Sequence, residues 1–100
     1  MHSGGAIELL ELATRFDLND LVTYCSLALE KVIEVDNVCS LLGAADRYAV
    51  PSLREACIQF MCGHYEGVVK TAAYQDLKES NPTLGMEVLE RALSKLKPGS

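Results

Sequence analysis

Apolar residues recur at three- and four-residue intervals along most of the chain, the spacing that lines up one face of an α-helix. Between residues 6 and 29, Ile7, Leu9, Leu10, Leu12 and Ala13, then Leu18, Leu21, Val22, Cys25 and Leu29, follow this rule and predict two amphipathic helices. The break falls at Phe16-Asp17-Leu18-Asn19-Asp20, where Asp and Asn are expected to cap the second helix and to favour its first turn. Ile33-Glu34-Val35-Asp36-Asn37 reads as a short extended linker, with Asp36 set to accept from the free amides of the next helix.

A third helix is expected over residues 37–48, with Val38, Leu41, Leu42 and Ala45 on its apolar face and Cys39 beside them. Pro51 stands where a helix tolerates proline best, so a fourth helix starts there, carries Leu53, Ala56, Cys57, Phe60 and Met61 inward, and loosens at Gly63. From Tyr65 onward, Val68, Val69, Ala72, Tyr74 and Leu77 predict one small fifth helix. Ser80-Asn81-Pro82 breaks the pattern, and Leu84, Val88, Leu89, Ala92, Leu93 and Leu96 give a last helix that ends at Pro98. The expected fold class is all-α, stacked antiparallel helical hairpins of about six helices. No strand is required, although residues 33–35 can be briefly extended.

Laying the first helix pair over the second exposes a repeat with an offset of 32 residues: Leu9 matches Leu41, Leu10 Leu42, Ala13 Ala45, Arg15 Arg47, Leu21 Leu53 and Cys25 Cys57. Phe16 against Tyr48, Leu18 against Val50 and Leu29 against Met61 are chemically close. The physical reading is one helical hairpin used twice: Ala lets the helices approach, the aromatic caps their junction, and Leu and Cys fill the facing stripe. A tetratricopeptide-like array has a similar period of ~34 residues, but its aromatic and glycine pattern is missing and only two copies occur.

Composition narrows the class. One hundred residues, 49% hydrophobic and 23% charged, fit a single globular domain. A chain this short buries only about two-thirds of its unfolded surface, so self-association would add to its stability. A net charge of -5 with scattered Lys and Arg argues against nucleic acid as a partner, and no basic patch suits a membrane surface. No stretch reaches the ~18 apolar residues needed to span a bilayer. Residues 1–5 lack the pattern of a secretory leader and, with residues 98–100, are expected to be flexible ends. The expected setting is intracellular, nuclear or cytoplasmic, with Cys25, Cys39, Cys57 and Cys62 reduced and packed as small hydrophobes.

Candidate chemistry is thin. Cys62 with His64 lacks the spacing of a zinc site or a positioned orienting group for thiol catalysis, and Glu8 with Glu11 or Glu87 with Glu90 read as solvated helix surface. Neither a phosphate-cradling glycine loop nor a nucleophile elbow occurs. No catalytic, cofactor-binding or metal-ligating residue is proposed, and the chain is expected not to be an enzyme. Arg15 and Arg47, with Asp46, are expected to form local ion pairs or caps at the hairpin corners, and Tyr74 to belong to the core.

Leu9-Leu10-Glu11-Leu12-Ala13-Thr14-Arg15-Phe16, then Leu21 and Tyr24-Cys25, resembles the closing helices of BTB (POZ) domains. Val35-Asp36-Asn37-Val38, then Leu41-Leu42, Ala45-Asp46-Arg47-Tyr48, Leu53 and Cys57, looks like the paired-helix box that opens a BACK domain. His64-Tyr65-Glu66-Gly67-Val68-Val69-Lys70-Thr71 and Tyr74-Gln75-Asp76-Leu77 are similar to the short BACK domain of speckle-type POZ and MATH-BTB proteins. The resemblance divides the chain into residues 6–34, the last helical pair of a BTB-like domain, and residues 35–97, a short BACK-like domain.

That resemblance implies an interaction and oligomerisation module of a substrate adaptor for cullin-RING ubiquitin ligases. Its implied partners are a cullin N-terminal domain, in the context of a full BTB domain, and a second copy in a homodimer. Val38, Leu42 and Tyr48 are the residues expected to face the cullin, although an aromatic at a helix junction is commonly core. The β-sheet half of a BTB domain is absent from this chain, which puts cullin binding by this piece alone in doubt. A scaffold that self-associates without binding a cullin is the alternative. The last helix carries more apolar residues than one docking stripe needs, so Leu84, Val88 and Leu89 are the expected self-association residues, with Leu89 near the centre.

Overall fold

The computed structural model describes residues 4–96, with side chains described for residue 5 and residues 7–94. Seven helices occur among the described residues: α1 (Gly4–Arg15), α2 (Asn19–Glu30), α3 (Val38–Arg47), α4 (Pro51–Gly63), α5 (Tyr65–Val69), α6 (Ala72–Ser80) and α7 (Pro82–Leu96). The all-α class stands, and no strand occurs among these residues. Two helices replace the single one expected after Tyr65. Thr71 causes the division: its hydroxyl donates to the Val68 carbonyl at 2.7 Å, closing α5, and accepts from the Tyr74 amide at 3.1 Å, opening α6. Gly4 and Gly5 belong to α1 rather than to a flexible end. The expected flexible ends at residues 1–3 and 98–100 lie outside the described residues.

The repeat extends to the backbone. Each hairpin turns through a Schellman motif, in which a left-handed residue lets two amides reach back to the carbonyls of the helix just ended. In the first, Leu18 donates to Ala13 at 2.9 Å and Asp17 to Thr14 at 3.3 Å; in the second, Val50 donates to Ala45 at 2.9 Å and Ala49 to Asp46 at 3.4 Å. Asp17 and Asn19 therefore do not cap α2, whose first residue follows Leu18 with no side-chain cap. Asp36 likewise does not cap α3. Instead Asn37 fastens the linker, accepting from the Glu34 amide at 2.8 Å and donating to the Val32 carbonyl at 2.7 Å.

The two hairpins are α1 with α2 and α3 with α4, and α4 lies at the middle, against α2, α3, α5 and α7. Leu10, Leu29, Leu41, Leu42, Leu53, Cys57, Ile58 and Met61 form the buried centre, with Val68, Tyr74 and Val88 joining from the later helices. Ala13 and Ala45 have no exposed surface, as expected of residues that let two helix backbones come close. The buried Ser26 hydroxyl meets Ser52 at 2.9 Å and Glu30 at 3.2 Å, so the polar group that ties α2 to α4 is satisfied.

Candidate functional site

Helix α7 is held on three sides. Asn81 starts it: its side-chain oxygen accepts from the Leu84 amide at 3.2 Å, and its amide nitrogen donates to Asp46 at 3.3 Å. Pro82 occupies the first turn, where its missing amide is no loss. Leu84, Val88 and Ala92, one helical turn apart, face the core.

Two arginine-carboxylate pairs then fix the side of α7 that faces α4. Arg54 grips Glu87 with both terminal nitrogens, one of them at 2.8 Å, and its Nε reaches Asp46 at 3.2 Å. Arg91 grips Glu55 in the same two-pronged way, one contact at 3.2 Å. Planar forks of this kind set orientation as well as attraction. The hydrogen bonds from Arg91, with a further one from Gln59, pull the Glu55 carboxyl down to about 2, and those from Arg54 lower Glu87.

The remaining flank of α7 is apolar and open. Met86 is 56% exposed and Leu93 51%, with half-buried Leu89 between them. Beside this flank a cleft of about 480 Å³ lies between α5, α6 and α7, with Tyr65, Val69, Tyr74, Gly85, Met86 and Leu89 in its walls. The Tyr65 and Tyr74 rings meet edge to face at 6.1 Å, their hydroxyls share a hydrogen bond at 3.1 Å, and Lys78 lies over the Tyr74 ring at 5.4 Å. Burial, then the bond to Tyr65, pushes the Tyr74 hydroxyl up. A Cβ on Gly85 would come within 3.3 Å of the Lys78 side chain, so glycine lets α6 and α7 close up at the cleft floor.

The expected self-association residues thus divide. Leu89 lies on the open flank, whereas Leu84 at 2% and Val88 at 0% exposure point into the core of this chain. The apolar arc of α7 is wider than one docking stripe, and its spacing alone does not tell which edge turns inward. Met86, Leu93, the tyrosine pair and the arginine forks complete the site. The i, i+3, i+7 spacing of Met86, Leu89 and Leu93 is the signal that marks this flank.

Val38 and Leu42, expected to face a partner, also have no exposed surface. Tyr48 is half-buried at the α3–α4 corner with the Arg47 guanidinium 5.8 Å from its ring centre. Arg15 pairs with Glu11 one turn back at 3.1 Å. Further exposed apolar side chains stand on the first hairpin: Leu9 and Leu12 on α1, Phe16 just beyond its end, and Tyr24 and Leu27 on α2.

Cys25, Cys39 and Cys57 pack as buried neutral thiols. Burial pushes Cys57 up to about 12 and Cys39 up to about 11, and raises Cys25 as well. Such thiols carry little thiolate, the reactive form. The His64 ring stacks on Phe60 at 4.1 Å and its Nδ1 lies 3.0 Å from the Phe60 carbonyl, at the end of α4. Among the described residues no group of three His, Cys, Asp or Glu is arranged to hold a metal, and no helix is long and apolar enough to cross a membrane.

Residues 37–89 match the family model described as the BACK domain of BPM/SPOP proteins. Over 85% of its length the chain is 33% identical to BTB/POZ and MATH domain-containing protein 4 of Arabidopsis thaliana, of which it covers 18%. It is 31% identical over 91% of its length to BTB and MATH domain-containing protein 42 of Caenorhabditis elegans, covering 22% of that protein. With TD and POZ domain-containing protein 4 of Mus musculus it shares 30% identity over 89% of its length and covers 24%. The chain therefore spans about a fifth to a quarter of the curated relatives it matches. The family match runs from the start of α3 to the middle of α7, while the relatives align over most of the chain, and the chain belongs to the BPM/SPOP BACK domain family.

Proposed function

We propose that this chain is a protein-interaction and oligomerisation module of a BTB-BACK substrate adaptor for a cullin-RING ubiquitin ligase. It joins a second copy through the outer flank of α7. The single observation that carries the reading is Met86 and Leu93 standing exposed beside half-buried Leu89, on a helix whose other sides are fixed by a buried stripe and two arginine forks. An apolar surface held this rigidly loses little freedom on binding. Within the adaptor the mechanism is proximity: one part holds a target, another holds the ligase, and transfer becomes effectively intramolecular.

The first hairpin, residues 6–34, is read as the end of a BTB-like domain. Two observations support this: the BACK match begins only at residue 37, and Leu9, Leu12, Phe16, Tyr24 and Leu27 stand exposed on the first hairpin for further chain to cover. With Val38 and Leu42 buried, any cullin contact from this piece falls to the α3–α4 corner around Tyr48, and the buried pair act by positioning it. A nuclear or cytoplasmic setting goes with this role.

Sedimentation tests the self-association. A dimer in the native chain that Leu89→Asp converts to a folded monomer supports it; a native monomer at high micromolar concentration ends it. For the cullin arm, a chain extended to include the BTB sheet is expected to retain a cullin N-terminal domain. Failure to bind at tens of micromolar would favour the second reading, a self-associating scaffold with no cullin partner. The full burial of Val38 and Leu42 is the observation on that side.

A further inference from the structure

We draw no further inference here: the strongest candidate, the cleft between α5, α6 and α7 walled by Tyr65, Tyr74 and Met86, belongs to the self-association flank of α7 already described, and nothing in the structure shows what other partner covers it.

Discussion

Asp17 and Ala49, 32 positions apart, share one left-handed backbone conformation, with φ of 56° and 57°. Each is the residue that lets its hairpin turn, and each carries a side chain in a region that glycine occupies without penalty. Ala49→Gly is expected to stabilise the chain by roughly 0.5–1 kcal/mol, less any added freedom of the unfolded state. Asp17→Gly is expected to gain less, since Asp tolerates this region better than Ala. Thermal unfolding checks the pair: Ala49→Gly should raise the midpoint by about 2–8 °C, and a fall would mean that the turn does not set the strain.

The turns also mark the limit of what the sequence discloses. The repeat, the hairpins, and the starts of α4 at Pro51 and α7 at Pro82 were readable because periodicity and proline act locally. Asp17 misled, because an Asp before a helix reads equally as a cap or as a left-handed residue, and the second role wins where Ala13 offers a carbonyl to Leu18. Thr71 was missed as a divider between α5 and α6 because its neighbours continue the apolar rhythm. The Arg54–Glu87 and Arg91–Glu55 forks join residues over thirty positions apart, a pairing that no local pattern encodes.

Those forks predict acid sensitivity. Glu55 and Glu87 are both held below their ordinary value of 4.5 in the folded chain, Glu55 at about 2. A carboxylate lowered on folding stabilises the folded state above its unfolded value, and that contribution is lost as pH falls through the folded value. Stability is therefore expected to decline from about pH 4.5 towards pH 2. Arg91→Gln should make the decline shallower, because Glu55 then returns towards its unfolded value. Urea unfolding across that window checks it, and identical slopes for the two proteins would remove Glu55 from the account.

Asn81 is expected to matter beyond its size. Its side-chain oxygen caps the Leu84 amide while its nitrogen reaches Asp46, the carboxylate that also holds Arg54. Asn81→Ala should cost ~1 kcal/mol and loosen the start of α7 first. Asn81→Asp, which keeps the cap but sets a second negative charge beside Asp46, should recover only part of that loss, and added salt should narrow the gap by screening the repulsion. Amide hydrogen exchange at Leu84 and Gly85 reads the local effect.

Tight packing at the helix crossings predicts a sharper penalty. Ala45 has no exposed surface where α3 approaches its neighbours. Ala45→Leu adds three carbons where no space exists and is expected to cost ~1–3 kcal/mol. Leu53→Ala, opening a void in the same core, should cost ~2–5 kcal/mol. If the two costs arise by opposite causes, Ala45→Gly should fall at or below the low end of the Ala45→Leu range, its cost being the ~1 kcal/mol helix penalty of glycine.

The outer face of the first hairpin separates folding from interaction. Leu12 and Phe16 are 46% and 65% exposed, so their replacement removes little that the folded chain uses. Leu12→Gln with Phe16→Ser is expected to leave stability within about 1 kcal/mol of native while raising solubility, since exposed apolar side chains promote association. In a longer chain that supplies the BTB sheet, the same pair should destabilise by several kcal/mol, because the face is then covered. The contrast between the two lengths is the decisive measurement. Equal effects in both would mean that α1 and α2 are no part of a BTB-like domain, and the open face would be an ordinary surface of the BACK domain.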